Sequence, residues 1–344
     1  MNLAVVTSTP QGVEGGHLVI ARALVAALQR AGHGAQLVTT PDYGFGQLRR
    51  TYRAARETPV DVVNGARIDQ VISLRYPSFA VRHPRHVCWL NHTMREYYDL
   101  WPRFAASISW RNRLKEGVRR AILHRVDGRL LRGNVTRVVA QSKTIRRRLE
   151  GDFGLRAEVL YPPAPLREYR CETYDNYIFS VSRLDPLKRV DLLIRALAEP
   201  QASRVRAVVA GDGEQAAELR ALASRMGVES RVTFLGRVDE SEILMHLGRC
   251  RAVCFTPFAE DYGFVTIEAF ASAKAVVTCR DSGGPAELVE DGRTGVTCEP
   301  APSAVAAALA RLSDDRALAE ALGAAGQARA STITWRDAVS RLLL

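Results

Sequence analysis

Two glutamates, Glu260 and Glu268, flank seven residues in the run EDYGFVTIEAFASA, with Gly263 between them. From Thr266 onward this run reads as a helix. Ile267, Phe270 and Ala271 fall on one apolar stripe, and Ala269 and Ala273 favour helix. EDYG reads as a turn, because Gly263 tolerates the positive φ that a tight approach demands. The amides of Gly263, Phe264 and Val265 would then open a helix without intrahelical acceptors, an arrangement that attracts phosphate. Glu260 precedes this helix and Glu268 lies in its first turns, so the two acids would meet one ligand at different heights. A surface turn before an ordinary amphipathic helix has the same spacing. The distinction rests on the flanks, CFTPFAEDYGF before and EAFASAKAVVTCRDSGGPAELVEDGRTG after.

Other residues with suitable chemistry sit at strand-to-loop junctions. YIFSVSRLDPLKRVDLLIRAL, from Tyr177, reads as strand, loop and helix, with Arg183 and Lys188 in the loop. Arg binds phosphate bidentately and Lys acts as a compact charge, so both can hold one diphosphate. Two ordinary surface cations are the plainer alternative. A strand over Val205–Ala210 leads to Gly211-Asp212-Gly213-Glu214 at a helix start. VTFLGRV, Val232 to Val238, is a further strand and loop that ends on Arg237 and Val238. Near the start, the strand Leu3–Thr7 and the loop STPQGVEGGH precede a helix from about His17 to Arg30. This is a Rossmann-type opening without GxGxxG. Gly15 and Gly16 leave amides open for a phosphate or a sugar hydroxyl, or simply make a tight turn. His86–Leu90 is a short apolar run of buried-strand type, and His92 follows it. Residues just past the carboxyl end of such a strand line the ligand crevice of an open sheet. A structural hydrogen-bonding role is the alternative for His92.

Strand and helix signals alternate along the whole chain. Further strands are expected at Gln36–Thr40, Val60–Val63, Val71–Leu74, Val138–Ala140, Val159–Tyr161, Val253–Phe255 and Ala275–Thr278. Tyr161-Pro162-Pro163 breaks the pattern and starts a linker. The expected organisation is one unit over residues 1–165, a second over 166–330, and a C-terminal helix over 331–344 that packs back on the first. The fold class is α/β.

The 344 residues suffice for two domains, and no apolar run reaches membrane-spanning length. MNLAVVTSTP has no basic segment or cleavage site, so no signal peptide is expected there. The six cysteines form no Cys-x2-Cys pair, which suggests neither zinc nor a disulfide framework and fits a reducing cytoplasm. Charge is uneven: residues 1–160 carry 26 Lys+Arg against 12 Asp+Glu, and residues 161–344 carry 22 against 25. Much of the excess lies in residues 111–137, where Arg alternates with Leu114, Val118, Ile122, Leu123 and Val126. Such a basic amphipathic helix suits an anionic membrane surface or a solvated Arg face. Nucleic acid is not indicated, because aromatic interleaving and a recognised binding motif are both missing.

The 260–273 stretch with its flanks resembles the Glu-x7-Glu motif of retaining glycosyltransferases of family four, which have the GT-B architecture. The resemblance covers most of the chain and is strongest over 177–300. It implies two Rossmann-like doubly wound domains facing a central cleft. It implies transfer of a sugar from a UDP, GDP or ADP sugar to a glycan, lipid-linked or small-molecule acceptor, with configuration retained. Arg183 and Lys188 would hold the donor diphosphate and Glu260 the sugar hydroxyls. Glu268 would hold the ribose, and the end of the Val232–Val238 segment, Arg237 and Val238, would meet the base. His92 would contact the transferred sugar, and the Gly15-Gly16 pair would lie by the phosphates and acceptor. Gly211 and Gly213 join the donor-binding set. No Asp-x-Asp motif is present, so neither metal nor cofactor is expected. The expected location is cytoplasmic, with peripheral attachment at the inner face of the membrane. Two other functions remain open: a non-catalytic sugar-nucleotide-binding protein, or a GT-B epimerase, which would need extra acids in the first domain. A phosphorylase would need a cofactor lysine, for which Lys274 is the candidate.

Overall fold

Two six-stranded parallel sheets organise the chain. The computed structural model describes residues 1–10 and 16–344. These divide into two compact units, Met1–Pro165 with Trp335–Leu344, and Leu166–Thr334.

In the first unit the strands are β1 (Asn2–Pro10), β2 (Gly34–Asp42), the short hairpin pair β3 (Val62–Val63) and β4 (Ala66–Arg67), β5 (Gln70–Ser73), β6 (His86–Leu90), β7 (Arg137–Ala140) and β8 (Glu158–Val159). Its sheet runs β2-β1-β5-β6-β7-β8. Every residue of β5 and β6 is buried. That is why these strands read as continuous apolar runs: helices cover both faces of a parallel sheet. The strand expected at Val60–Val63 is instead one arm of the antiparallel β3–β4 hairpin, outside the main sheet. Asn64 and Gly65 make its turn with φ 47° and 78°, the left-handed pair that a two-residue hairpin needs.

The C-terminal helix Trp335–Leu342 belongs to this first unit. Trp335 Nε1 donates to the Ala164 carbonyl at 3.0 Å, and Gln70 Nε2 donates to the Leu342 carbonyl at 2.7 Å. The Trp335 ring meets Trp89 edge-on at 6.4 Å.

The second unit holds β9 (Asp175–Val181), β10 (Ala207–Ala210), β11 (Val232–Gly236), β12 (Cys250–Cys254), β13 (Ala275–Cys279) and β14 (Gly295–Cys298). Their order is β11-β10-β9-β12-β13-β14. Numbered within the unit this is 3-2-1-4-5-6, the Rossmann order. The chain reverses direction of travel between β9 and β12, and ligands of such sheets bind outside the carboxyl ends of the strands at that reversal. Leu193, Ile194, Leu197, Val209, Val277 and Leu309 form part of its core.

A single helix, Trp110–Gly133, carries most of the basic segment. Ser109 caps it by accepting from the Asn112 amide at 3.4 Å. Its core side buries two acids along with Leu123 and Leu131. Asp127 accepts from the hydroxyls of Tyr52 and Tyr98, each at 2.6 Å. Burial pushes its carboxyl up to about 7 from an ordinary 3.8, against the pull of the two tyrosine bonds.

The folded state therefore keeps a proton on Asp127 that the unfolded chain releases. This contribution to stability is complete below about pH 4 and is lost as the pH rises through about 7. Asp127→Asn should remove that slope. Urea unfolding of both proteins at pH 4.5 and pH 8 checks it. The wild type should lose stability relative to the variant on going to pH 8, and a constant difference would contradict the assignment.

Candidate functional site

The residues singled out in the second unit gather at its sheet reversal. β9 feeds the loop Ser182–Arg189, and β12 feeds the loop that ends at Gly263. Three loops are bound together here. Phe258 donates its amide to the Leu187 carbonyl at 2.7 Å, Ala259 to the Asp281 carbonyl at 2.9 Å, and Glu260 to the Ser282 carbonyl at 2.9 Å. The Gly284 amide returns to the Glu260 carbonyl at 2.9 Å. Gly283 and Gly284 are required for this closeness, since a Cβ on either would strike the backbone of residues 259–262.

Arg189 fastens the same three loops from below. Its guanidinium grips Asp281 bidentately at 2.6 and 2.8 Å and donates to the carbonyls of Thr256 and Pro257 at 2.7 and 2.8 Å. Sequence reasoning missed Arg189. Its signal was only an Arg next to Lys188, and its acidic partner lies 92 positions away.

Above this staple, Lys188 Nζ meets Glu260 Oε2 at 2.5 Å, with side chains 20% and 16% exposed. The fold thus joins two of the singled-out residues, 72 positions apart, in one partly buried ion pair. Arg183 lies in the same loop but is turned outward. Its side chain is 73% exposed and donates to Asp185 at 2.8 Å. Asp185 also accepts the Leu187 amide at 3.0 Å, which fixes the turn that carries Lys188.

The Phe264–Ala271 helix begins two residues earlier than the apolar pattern indicates. Gly263 is its N-cap, at φ 81°. The turn is tight enough that the chain is helical immediately after it. Its first two amides, of Phe264 and Val265, have no intrahelical acceptor and lie at the positive end of the helix dipole, while Thr266 already donates to the Gly263 carbonyl at 3.0 Å.

Glu268 is buried one turn further on. Its Oε1 accepts from Arg167 Nη1 at 2.5 Å and from the Tyr169 hydroxyl at 3.0 Å. Burial raises its carboxyl pKa, and Arg167 followed by Tyr169 opposes the rise. Glu260 and Glu268 therefore have separate partners. Arg167 and Tyr169, at the very start of the second unit, were not legible as site residues, because nothing local marks a linker Arg as the partner of an acid 101 positions on.

Gly211 and Gly213 show a packing role. The Gly211 amide is committed to the Gly236 carbonyl at 2.7 Å, and a Cβ on either glycine would meet the backbone of Ser182 or Leu184. Their loop therefore lies flat against the loop of Arg183, with Leu184 donating to the Asp212 carbonyl at 2.9 Å. Arg237 and Val238 follow β11 on the same end of the sheet, Arg237 exposed and Val238 half-buried. Lys274 is entirely buried, bonded to the Thr173 carbonyl and 3.4 Å from Cys171 Sγ, with the Tyr174 ring 3.7 Å away. That enclosure leaves no approach for a cofactor and removes it as a phosphorylase lysine.

In the first unit, His92 lies just past the end of β6 and is half-buried. Its Nδ1 is 2.7 Å from the Thr93 carbonyl, and its ring meets Tyr76 edge-on at 5.6 Å. A carbonyl only accepts, so Nδ1 carries the proton of this bond. Gly16 is exposed and opens the Gly16–Arg30 helix, whereas Gly15 lies outside the described residues. Among the described residues no cluster of three or more His, Cys, Asp or Glu is arranged to hold a metal ion.

The model of the family described as glycosyl transferases group 1 matches residues 167–329. The second unit belongs to that family. Among curated relatives, the chain is 31% identical over 232 residues to the D-inositol 3-phosphate glycosyltransferase of Nocardia farcinica, covering 60% of this chain and 51% of that one. It is 28% identical over 167 residues to human alpha-1,3/1,6-mannosyltransferase ALG2, covering 44% and 40%. The chain thus spans about half the length, or less, of these relatives. Among solved structures, it superposes on Anabaena HepE, determined with UDP and glucose, with a TM-score of 0.70 over 98% of both chains at 20% identity. It matches sucrose-phosphate synthase from Thermosynechococcus elongatus with a TM-score of 0.77, over 99% and 97% of the two chains at 17% identity. The fold of the chain is GT-B, with two Rossmann-like parallel-sheet domains.

Gly263 combines φ 81° with a crowded surround: an added Cβ would lie 2.7 Å from Pro285 Cγ and 3.0 Å from Phe255 Cε1. Gly292 has φ 71° and nothing within 4 Å. Gly292→Ala should cost only the left-handed strain, about 1–2 kcal/mol. Gly263→Ala should lower the unfolding midpoint further, and calorimetry of the two variants compares them directly. Equal losses would show that the helix start is not tightly packed.

Proposed function

We propose that this chain transfers a hexosyl group from a nucleoside-diphosphate sugar to an acceptor hydroxyl, with retained configuration and without a metal. The observation that carries this reading is the Lys188–Glu260 pair set over the start of the Phe264–Ala271 helix at the Rossmann reversal. The family match of the second unit supports it, as do the glycosyltransferase names of its relatives.

The leaving group is a nucleoside diphosphate, and its developing charge has to be stabilised as the glycosidic bond breaks. Lys188, the amides of Gly263, Phe264 and Val265 at the helix start, and the exposed Arg183 supply that positive potential. Glu260 holds Lys188 in place and accepts from the sugar hydroxyls. Glu268 uses Oε1 for Arg167 and Tyr169, and Oε2 is the oxygen assigned here to the ribose hydroxyls. Arg237 and Val238 flank the base, and Gly211 and Gly213 support the Arg183 loop from behind. On the first unit, His92 is assigned to the sugar, and Gly15 and Gly16 to the phosphates and acceptor. Retention follows a front-face attack in which the departing phosphate accepts the acceptor's proton.

The acceptor is a glycan, a lipid-linked saccharide or a small molecule, and the donor a UDP, GDP or ADP sugar. The six thiols, none in a disulfide, suit a reducing cytoplasm. No helix among the described residues is long and apolar enough to cross a membrane.

Transfer from radiolabelled sugar nucleotides tests the reading. A thermal-shift screen with UDP, GDP and ADP identifies the base, since a ligand at 100 times its dissociation constant adds about 2.7 kcal/mol. Lys188→Ala or Arg183→Ala should lower transfer by about 3 kcal/mol in the barrier, roughly a hundredfold, with the fold intact. Near-normal turnover in both would sink the clamp.

The two glutamates should also separate. Glu260→Gln should chiefly lower turnover, and Glu268→Gln should chiefly weaken binding of the diphosphate alone, read by calorimetry. The reverse pattern would exchange their roles. Activity should survive excess EDTA, and a loss restored by Mg²⁺ or Mn²⁺ would refute metal independence.

A further inference from the structure

The Trp110–Gly133 helix is built inside out. Its core side buries Glu116 and Asp127, while four large apolar side chains face water. These are Trp110, Leu114, Val118 and Ile122, exposed by 68, 65, 63 and 54%. They recur every fourth residue. Each step of four advances about 40° around a helix, so the four form one stripe across about 120° of surface. The buried acids are held on the opposite side: Tyr97 donates to Glu116 at 2.5 Å, and Tyr52 and Tyr98 donate to Asp127. The stripe therefore cannot roll inward without breaking those bonds.

Charge on the exposed side is of one sign. Arg111 lies within the stripe and Lys115 at its edge, and Arg125 and Arg129 continue the same face, all exposed. The helix's two acids, Glu116 and Asp127, are buried and offset none of this on the surface. The Arg111 guanidinium lies 5.3 Å from the centre of the Trp110 ring, so the aromatic and the cation at the helix start act at one level. A contiguous apolar patch rimmed by cations marks an interaction surface. Apolar residues beside Lys and Arg, with Trp at one end, fit the boundary between acyl chains and anionic headgroups.

We propose that this face seats the protein on an anionic lipid surface, the helix lying in the plane of the headgroups with Trp110, Leu114, Val118 and Ile122 inserted. The attachment is independent of the reaction proposed above. It brings the first unit to a surface where a lipid-linked acceptor would be presented.

Co-sedimentation with phosphatidylglycerol-containing vesicles tests it, with pure phosphatidylcholine vesicles as the comparison. Binding should be confined to the anionic vesicles and should weaken with salt. Arg125→Gln and Arg129→Gln should each lower partition about fivefold. The double variant Leu114→Ser with Ile122→Ser should lower it at least about tenfold, because two inserted side chains are lost. These side chains face water, so an unchanged unfolding midpoint separates loss of binding from loss of fold. Tryptophan emission should shift blue on vesicle addition in the wild type and not in Trp110→Ser. Three results would overturn the proposal: no binding to anionic vesicles, equal binding to neutral ones, or undiminished binding in the double variant. A concentration-dependent dimer in the absence of lipid, abolished by the double variant, would also overturn it and assign the stripe to a second copy of the chain.

Discussion

The loops at the carboxyl end of the second sheet depend on one guanidinium. Arg189 reaches from the end of the loop after β9 to Asp281 beyond β13 and to two carbonyls beyond β12. Loops at the carboxyl ends of parallel strands have no ladder to hold them, so their polar backbone groups need other partners. Arg supplies up to five donors in a planar fork, which suits one carboxylate and two carbonyls at once. With the three loops fixed, the backbone bonds of Ala259 and Glu260 follow, and Glu260 is delivered to Lys188. The ion pair is thus a consequence of the staple rather than its cause. It is partly exposed and contributes modestly to stability. Its value is placement of a cation and an anion at the mouth of a helix.

The glycines of this region serve the same closeness. Gly211, Gly213, Gly283 and Gly284 sit where two backbones cross without room for a Cβ. A Gly-rich phosphate loop and a Gly-rich crossing of loops look alike in sequence. The difference lies in where the amides point. The Gly211 amide is spent on the Gly236 carbonyl, whereas the Phe264 and Val265 amides open a helix, whose geometry offers them no intrahelical acceptor.

The two units use their charges differently. In the second, Arg189, Arg167 and Lys188 are each matched to an acid. In the first, the Trp110–Gly133 helix buries its acids, pairs Arg119 with Glu116, and leaves Arg111, Lys115, Arg125 and Arg129 outside with an apolar stripe. That arrangement gains nothing for folding, since exposed apolar side chains contribute no burial. It is what a helix with a second surface to meet would keep.

Much of the architecture was legible in the chain itself. Apolar runs such as His86–Leu90 and Ala275–Cys279, alternating with amphipathic stretches, dictate buried parallel strands and covering helices, because strand and helix periods are local properties. Gly263 before an apolar helical run likewise dictates the turn and the open amides. What local pattern could not determine was partnership. Nothing in sequence pairs Lys188 with Glu260, Arg189 with Asp281 or Arg167 with Glu268, since each pair forms only when strand order brings separate loops to one end of the sheet. Nor could the interleaved Leu and Val of residues 111–137 be sorted by side. Leu123 and Leu131 are buried while Leu114, Val118 and Ile122 are exposed. That choice was made by three tyrosines from other segments, which bind Glu116 and Asp127 and turn the helix to its present face.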